Sequence, residues 1–235
     1  MKKLNDDLCV VILSGGQDST TCLAWAVDKY GAENTKSITF NYGQRHLIEI
    51  DLSKIISKKF DVGHHIIETD ILKKFDDSAL VNDEKDISAE KDGLPASFVP
   101  GRNNFFLLLT AIFAYKKNIK NIVAGVCQTD FSGYPDCREE SIMAVETALN
   151  LCMETDFVIH TPLMNLTKSE TFKMADDLGC LGTIIDYTMT CYNGSLIKNK
   201  WGAGCGQCPA CGLRKKGFNE YSRQKTQVQL WPSHI

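Results

Sequence analysis

The sequence predicts an α/β fold in which a doubly wound, five-stranded parallel sheet carries a small C-terminal lobe. Three observations predict it. Short apolar runs alternate along the chain with longer segments of helical periodicity. The first run ends in a Gly-Gly turn that opens a helix, and four of the ten cysteines gather near the C-terminus. Alternating strands and helices favour a parallel sheet covered on both faces.

Each element rests on its own pattern. Residues 8–12 (LCVVI), 37–40, 64–69, 121–125 and 157–160 each contain adjacent apolar or β-branched residues and are predicted strands. Residues 21–27 and 46–60 are predicted helices, the second with an apolar face that carries Leu47, Ile50, Ile55 and Ile56. Residues 102–115, 138–151 and 167–178 complete the helices, and Gly179 closes the last one. This Rossmann-like arrangement places ligands at the carboxyl ends of the strands.

Composition limits the function classes. The chain has 235 residues, 43% hydrophobic and 23% charged, with a formal net charge of −3. We expect one compact unit, with the α/β part at 1–188 and the lobe at 189–235. The charge gives no general attraction to nucleic acid or membrane, so we expect small-molecule partners and, by default, a homodimer. No secretory signal pattern is present and the longest apolar stretch, 105–114, cannot span a bilayer, which predicts a cytoplasmic protein with reduced thiols.

Residues 14–20 (SGGQDST) form the most informative segment, because they connect the first strand to the first helix. Two glycines permit a sharp turn and close approach to a ligand. Ser19 and Thr20 offer hydroxyl and N–H groups at a helix N-terminus, which favours phosphate. The Gly-Lys-Ser/Thr ending of the common nucleotide P-loop is absent. The alternative interpretation is an Asp/Ser helix cap after a turn.

Four cysteines have metal-ligand spacing: Cys191, Cys205, Cys208 and Cys211. The last three form overlapping Cys-x-x-Cys pairs, and Cys191 supplies the fourth thiolate of a tetrahedral site. Structural Zn²⁺ is the preferred prediction; an iron–sulfur cluster or a redox pair stays open. The other six cysteines are scattered and are interpreted as small core residues. His64 and His65 begin a strand at the end opposite the ligands, which favours structural roles.

The segment 70–101 is the longest stretch without periodicity, and it is interpreted as a lid over the site in preference to a passive surface loop. Two cations stand at predicted helix starts, where the helix dipole is unfavourable to them. Arg102 follows a Pro-Gly pair and Lys168 begins the 167–178 helix, so an anionic partner is predicted for each.

The segment 13–21 resembles the pyrophosphate loop of the N-type ATP pyrophosphatases. Together with the cysteine cluster it resembles the 7-cyano-7-deazaguanine synthase family in particular. Further similar segments are 40–46 (FNYGQRH), 99–104 (VPGRNN), 130–138 (DFSGYPDCR), 161–163 (TPL) and 190–194 (TCYNG). The matches run in order along nearly the whole chain, and the resemblance implies the adenine nucleotide alpha-hydrolase type of Rossmann-like fold.

The resemblance implies that 7-carboxy-7-deazaguanine, ammonia and two ATP yield 7-cyano-7-deazaguanine, AMP and pyrophosphate, with Mg²⁺ offsetting triphosphate charge. The implied ATP residues are Leu13, Ser14, Gly15, Gly16, Gln17, Asp18, Ser19, Thr20 and Thr21. The implied catalytic residues are Asp18, Arg102 and Lys168, and the substrate residues are Asp130, Ser132, Asp136 and Arg138. Tyr42 and Tyr134 are candidates for stacking on the purine-like ring or for core packing.

One departure from the family pattern is a lengthened stretch between Cys191 and Cys205. Residues 195–203, with Lys198, Lys200 and Trp201, are predicted to form a surface loop. Two alternative functions stay open. One is an ATP-dependent tRNA thiolase or a related amidating enzyme. The other is a zinc-ribbon interaction protein that binds nucleic acid through Arg214, Lys215 and Lys216.

Overall fold

Five parallel strands form the central sheet of the computed structural model, which describes residues 1–44, 47–75, 90–91, 94–95, 97–128 and 134–230. The strands are β1 (Asn5–Ile12), β2 (Thr35–Asn41), β3 (Gly63–Glu68), β6 (Ile119–Val123) and β7 (Val158–His160). They lie in the order β3-β2-β1-β6-β7, with all neighbours parallel. Two-residue strands β4 (Glu90–Lys91) and β5 (Leu94–Pro95) pair separately, as do β8 (Lys198–Asn199) and β9 (Gly202–Ala203).

Helices connect these strands. They are α1 (Gln17–Tyr30), α2 (Ile48–Lys59), α3 (Ile71–Phe75), α4 (Arg102–Lys117), α5 (Glu139–Met153), α6 (Lys168–Asp177), α7 (Leu181–Tyr187) and α8 (Pro209–Leu230). The five predicted strands and five predicted helices are all present, with bounds shifted by a few residues. Helices α3, α7 and α8 were not predicted; α3 lies in the 70–101 segment, where the sequence shows no periodicity.

Alternating residues of β1 separate the core into two faces. Val10 packs with Leu107 and Ala111 of α4, whereas Cys9 and Val11 pack with residues of α1 and α2. All three β1 side chains are fully buried. Helices therefore cover both faces, as the continuous apolar run predicted. No helix in the described ranges is both long and apolar enough to cross a bilayer.

The C-terminal helix α8 packs along α6 and extends the core beyond the sheet. Phe172 of α6 contacts Phe218 and Tyr221 of α8, at ring separations of 5.3 and 6.2 Å. Gly217 allows the close approach, since a Cβ there would lie 2.4 Å from the Cβ of Lys168. The lobe predicted at 189–235 thus shares a hydrophobic cluster with the sheet domain, and the boundary at 188/189 stays a prediction.

His64 is enclosed by three buried serines at the start of β3. Its Nδ1 lies 2.9 Å from Ser37 Oγ and 3.1 Å from Ser57 Oγ, and its Nε2 lies 3.4 Å from Ser53 Oγ. Burial lowers the pKa of His64 to about 4, with smaller contributions from His65 and Lys54. The ring lies at the amino end of β3, opposite the carboxyl ends of the strands, so its surroundings support the predicted structural role.

Acid is expected to destabilise the fold through His64. The unfolded ring has a pKa of about 6.5, so unfolded chains bind the proton first as pH falls. The stability contributed by the neutral ring is present above pH about 6.5 and is lost progressively toward pH 4. His64→Gln should flatten this part of the curve of unfolding free energy against pH, measured by urea unfolding. His65→Gln is the matched control, and an equal flattening there would contradict the assignment.

Candidate active site and cysteine cluster

The loop between β1 and α1 is tied down by its own side chains. Ser19 Oγ accepts a hydrogen bond from Ser14 N–H at 3.1 Å, and the two hydroxyl oxygens lie 3.0 Å apart. Thr20 Oγ1 donates to Gly16 O at 2.8 Å. Gly16 is the N-cap of α1 and makes no side-chain cap, so the helix N-terminus stays open toward the cleft. An open helix start beside a glycine turn suits an anion.

Two glycines are required where the backbone of other elements approaches this loop. Gly15 has φ +81°, and a Cβ there would lie 2.6 Å from the carbonyl oxygen of Glu49 on α2. Gly125 follows β6, and its Cβ would lie 3.0 Å from the N–H nitrogen of Ser19. A side chain at either position would displace the loop from the strand ends.

Gly15→Ala is expected to lower the free energy of unfolding by about 2 kcal/mol or more, because left-handed strain adds to a backbone clash. It should also weaken ATP binding. Gly179→Ala is the control for strain alone, since Gly179 has φ +69° with nothing within 4 Å of its Cβ position. Urea unfolding and ATP titration measure both effects. If Gly15→Ala and Gly179→Ala lower the free energy of unfolding and the affinity for ATP by the same amounts, close packing of the loop against α2 is unimportant.

A cleft of about 330 Å³ opens at the carboxyl ends of the strands, a volume typical of small-molecule sites. The Gly16–Ser19 part of the loop forms one wall, and the ends of β2 and β6 contribute Thr39, Phe40 and Ala124. The first turns of α2, α4 and α6 contribute Glu49, Arg102 and Lys168. The topology thus brings a glycine loop, two carboxylates (Asp18 and Glu49) and two cations together.

Asp18 and Lys168 form an ion pair inside the cleft. Lys168 Nζ lies 2.7 Å from Asp18 Oδ2, and their side chains are 10% and 25% exposed. A Thr167–Glu170 capping box starts α6 one residue before Lys168 and fixes where its side chain begins. Asp18 Oδ1 is buried and has no hydrogen-bond partner among the described residues. That oxygen is available to a ligand or a cation.

Gln17 is the first residue of α1 and is fully buried against the cleft. Neither its amide nitrogen nor its amide oxygen has a hydrogen-bond partner among the described residues. A buried polar atom without a partner costs about 1–3 kcal/mol. Such a cost is expected where a bound molecule completes the hydrogen bonding. The sequence alone does not show that the Gln17 side-chain amide is buried and not exposed to solvent.

Arg102 lies beside two phenols that line the same cleft, those of Tyr42 and Tyr134. Burial by itself lowers the pKa of Arg102, but Tyr42, Tyr134 and Asp136 raise it overall, so the guanidinium is firmly charged. Tyr134 is held by Ser97, with 2.5 Å between the hydroxyl oxygens. Tyr42 and Tyr134 are 8% and 9% exposed and both line the cleft. An aromatic and cationic wall of this kind suits a flat ring that carries an anionic group.

The sulfurs of Cys191, Cys205, Cys208 and Cys211 lie within 4.8 Å of one another. Four sulfurs bonded at about 2.3 Å to one tetrahedral ion lie about 3.8 Å apart. The Cys205 and Cys211 sulfurs are 3.9 Å apart, which fits that geometry and excludes a disulfide between them. The N–H groups of Gln207 and Cys208 each approach Cys205 Sγ at 3.4 Å, as expected for a metal-binding thiolate. The cluster can hold a metal such as zinc.

The comparisons identify the family. The family described as "Queuosine biosynthesis protein QueC" matches residues 8–222. This chain belongs to the QueC family. It is 46% identical over 225 residues to 7-cyano-7-deazaguanine synthase of Bacillus subtilis (strain 168), covering 96% of this chain and 98% of that protein. It is also 46% identical over 224 residues to the enzyme of the same name from Staphylococcus haemolyticus (strain JCSC1435), covering 95% and 97%.

A solved structure shares the fold of this QueC chain. A 4-thiouridine synthetase in complex with RNA and ATP superposes with a TM-score of 0.50 at 17% identity. The match covers 93% of this chain and 51% of the synthetase. At that identity the likeness shows the α/β fold alone.

The structure brings some predicted residues of the QueC chain to the cleft and leaves others outside. Asp18, Arg102 and Lys168 line the cleft, as does most of the loop. Asp136 is buried beside Arg102, where its Oδ2 accepts the Asn103 N–H at 3.0 Å. Arg138 is exposed and is not among the residues that line the cleft. Asp130 and Ser132 lie outside the described residues, as does most of the predicted lid. All four substrate assignments stay predictions.

Two expectations about the C-terminal lobe were wrong. The lengthened stretch carries the β8–β9 pair, and its Trp201 is 5% exposed and packs with the metal-site cysteines instead of facing solvent. Lys198 and Lys200 are exposed, as expected. Arg214 is fully buried, so it does not belong to a basic surface patch.

Arg214 holds the lobe together through backbone carbonyls and hydroxyls. It donates to the carbonyl oxygens of Trp201 at 2.9 Å and Ile184 at 2.8 Å, and to Thr190 Oγ1 at 2.9 Å. Gly202 has no side chain where the guanidinium lies, since a Cβ there would be 2.2 Å from Arg214 Nη2. Burial lowers the pKa of Arg214 to about 10, so it stays charged at neutral pH. A run of three basic residues had indicated a surface patch, and no local signal marks the first as buried.

Proposed function

We propose that this cleft converts 7-carboxy-7-deazaguanine, ammonia and two ATP into 7-cyano-7-deazaguanine, releasing AMP and pyrophosphate. One observation carries the proposal: a glycine loop at a helix N-terminus, the Asp18–Lys168 pair and Arg102 share one cleft at the strand ends. The two curated relatives are named 7-cyano-7-deazaguanine synthase and match nearly the full chain, which supports this reaction over the thiolase alternative.

The chemistry explains the need for ATP. A carboxylate is a poor electrophile because its oxygen is a poor leaving group. Attack of that oxygen on the α-phosphorus breaks the bond to pyrophosphate and gives an acyl adenylate. Ammonia then displaces AMP and forms the amide. The amide oxygen attacks a second ATP in the same way, and loss of AMP and the amide N–H protons leaves the nitrile.

The loop and its neighbouring charges hold the leaving pyrophosphate. The N–H groups of Gln17, Asp18 and Ser19 belong to the open first turn of α1, and the Lys168 ammonium adds positive charge. One oxygen of the Asp18 carboxylate is bound to Lys168, and the other has no partner within the part of the chain that the structure describes; such a hard oxygen donor fits Mg²⁺. Mg²⁺, when bound, supplies charge neutralisation of the triphosphate.

The deazaguanine lies on the aromatic wall. Tyr42 and Tyr134 provide the flat surface on which the ring stacks. Arg102 interacts with both phenols, so its guanidinium is close enough to pair with the carboxylate of a ring that lies on them. The charge of Asp136 raises the pKa of Arg102 and so helps to keep the guanidinium charged. Recognition of the ring edge is assigned to Asp130, Ser132, Asp136 and Arg138, because they follow the fourth predicted strand in the sequence, at the ligand end of the sheet.

Zinc is the metal that we propose for the four-cysteine cluster, in a structural role. All four positions of a tetrahedral ion are taken by thiolates, so none is left for a substrate. The cluster packs with Trp201 and Met189, and Met189 N–H donates to Gly15 O at 3.2 Å. The ion therefore supports the back of the ATP loop. Four reduced cysteines also favour a cytoplasmic location.

A second copy of the chain is the partner that we propose for the α4–α5 surface. Ile112, Tyr115 and Leu151 border one shallow groove there and are 40%, 37% and 75% exposed. Apolar side chains grouped in this way favour a homodimer contact. Sedimentation equilibrium of Leu151→Glu against the unchanged protein tests it, and an unchanged mass for a dimeric parent would exclude this face.

The reaction itself is tested by incubating the protein with Mg²⁺, ATP, ammonium and 7-carboxy-7-deazaguanine, followed by mass spectrometry. We expect the nitrile, with two AMP and two pyrophosphate formed per nitrile. Bound ATP without turnover would show that the acceptor is a different molecule.

A further inference from the structure

Glu49 is the acid on the cleft wall that the proposed reaction does not yet use. It lies in the first turn of α2, half-buried, and lines the same cleft as Gly16, Tyr42 and Arg102. The carbonyl oxygen of Glu49 sits against Gly15, so α2 places this side chain beside the ATP loop and not on a distant rim.

The surroundings of Glu49 favour a carboxyl that exchanges protons. Burial raises the pKa of Glu49 to about 7, and the charge of Arg102 lowers it by a smaller amount. The charged and titratable groups that face it from neighbouring elements are Arg102 of α4 and Tyr42 after β2. A base that titrates near neutral pH is better at removing protons than an ordinary carboxylate and is still ionised in part.

The competing explanation for Glu49 is a purely structural role, because acids in the first turn of a helix interact favourably with the helix dipole. Asp51 is in the same turn and fills that role in the expected way. It is 66% exposed, forms an ion pair with Lys54 at 2.9 Å and does not line the cleft. Helix stabilisation needs no carboxyl inside a cleft, where desolvation disfavours its charge. The position of Glu49 therefore requires a different explanation.

We propose that Glu49 is the general base that removes a proton from the ammonia nitrogen as it attacks the acyl adenylate. The inference rests on the proposed function, because an acyl adenylate must form first. Ammonia donates its electron pair to the acyl carbon, and a C–N bond forms with positive charge on nitrogen. The Glu49 carboxylate takes one N–H proton, and the C–O bond to AMP breaks. The products are the neutral amide, AMP and a protonated Glu49 that returns its proton to solvent.

Glu49→Gln separates this step from adenylation. Exchange of labelled pyrophosphate into ATP, dependent on 7-carboxy-7-deazaguanine, needs only the adenylate. We expect that exchange to stay within about threefold of the unchanged protein. Ammonia-dependent formation of amide and nitrile should fall about 100-fold, the usual contribution of a general base. Asp51→Asn is the matched control and should leave both rates unchanged.

Hydroxylamine provides a second readout that a structural role would not affect. Once hydroxylamine has bonded to the acyl carbon, its positively charged nitrogen is more acidic than the nitrogen of the ammonia adduct. Water can therefore take the proton. The loss caused by Glu49→Gln should therefore be about tenfold smaller with hydroxylamine than with ammonia. An equal loss with both nucleophiles, or an equal fall in pyrophosphate exchange, overturns the proposal.

Two further results keep the outcomes distinct. If the unchanged protein catalyses no substrate-dependent pyrophosphate exchange, the proposed function fails, whatever Glu49 does. If Glu49→Gln does not fold, Glu49→Asp replaces it, because it keeps a carboxylate but withdraws it from the nitrogen. A selective fall of the ammonia step in Glu49→Asp supports the proposal, and a parallel fall of both steps overturns it.

Discussion

Lys168→Gln is expected to lower ATP–pyrophosphate exchange about 100-fold, as removal of one preorganised charge from a water-poor site does. Lys168 Nζ lies 2.7 Å from Asp18 Oδ2, and only 10% of its side chain is exposed. It begins α6, where the helix dipole disfavours a cation. Glutamine keeps most of the side-chain length and so preserves the packing against Gly217 of α8.

Lys173→Gln is the matched control for this prediction. Lys173 lies on the same helix, is 62% exposed and pairs with Asp177 at 2.5 Å outside the cleft. Its replacement should leave exchange unchanged, and circular dichroism should show intact folding for both variants. Full exchange activity in Lys168→Gln would mean that the ion pair with Asp18 serves the fold and not the phosphates.

Cys208→Ser is expected to remove the bound metal and to lower the free energy of unfolding by about 3 kcal/mol or more. Cys208 is 3% exposed, and the four cysteines form the centre of a small cluster in which Met189, Trp201 and Ala210 are the other buried members. Loss of the ion leaves buried thiols that repel one another when ionised. Elemental analysis for zinc, together with urea unfolding, measures both effects.

Cys152→Ser controls for the loss of a thiol as such. Cys152 is exposed and lies on α5, away from the cluster. Its replacement should change neither metal content nor stability. If Cys208→Ser unfolds at the same urea concentration as the unchanged protein, the metal has no structural role, and a full complement of zinc would mean that three thiolates suffice to hold it.

The central strand of the sheet was predictable because β1 is buried on both faces and is therefore a continuous apolar run. Residues 8–12 could be recognised without knowledge of their neighbours. Helix α8 was missed for the opposite reason. Its buried face includes Cys211, Arg214 and Tyr221, which do not form an apolar stripe. A helix whose core side is polar or metal-binding has no periodic hydrophobic signal.

The cleft was predictable in part. The glycine loop at residues 14–20 is local, since one strand end, two glycines and one helix start are adjacent in sequence. The pairing of Asp18 with Lys168 joins residues 150 positions apart, and the helix-dipole argument indicated only that Lys168 needs an anion. Glu49 was not singled out, because an acid in the first turn of a helix is ordinary in sequence.

The sequence by itself determined the α/β class, the glycine loop between the first strand and the first helix, and the four cysteines of one cluster, since each depends on residue types at short spacing. Only the tertiary structure decided which ordinary residues become special. It buries Arg214 among carbonyl groups and packs Trp201 with the four clustered cysteines. It also places Glu49 in the wall of the cleft. Whether a charged side chain is buried depends on elements far apart in the chain. Burial removes water from the charge and changes its pKa, and the neighbouring residues in the sequence do not reveal this.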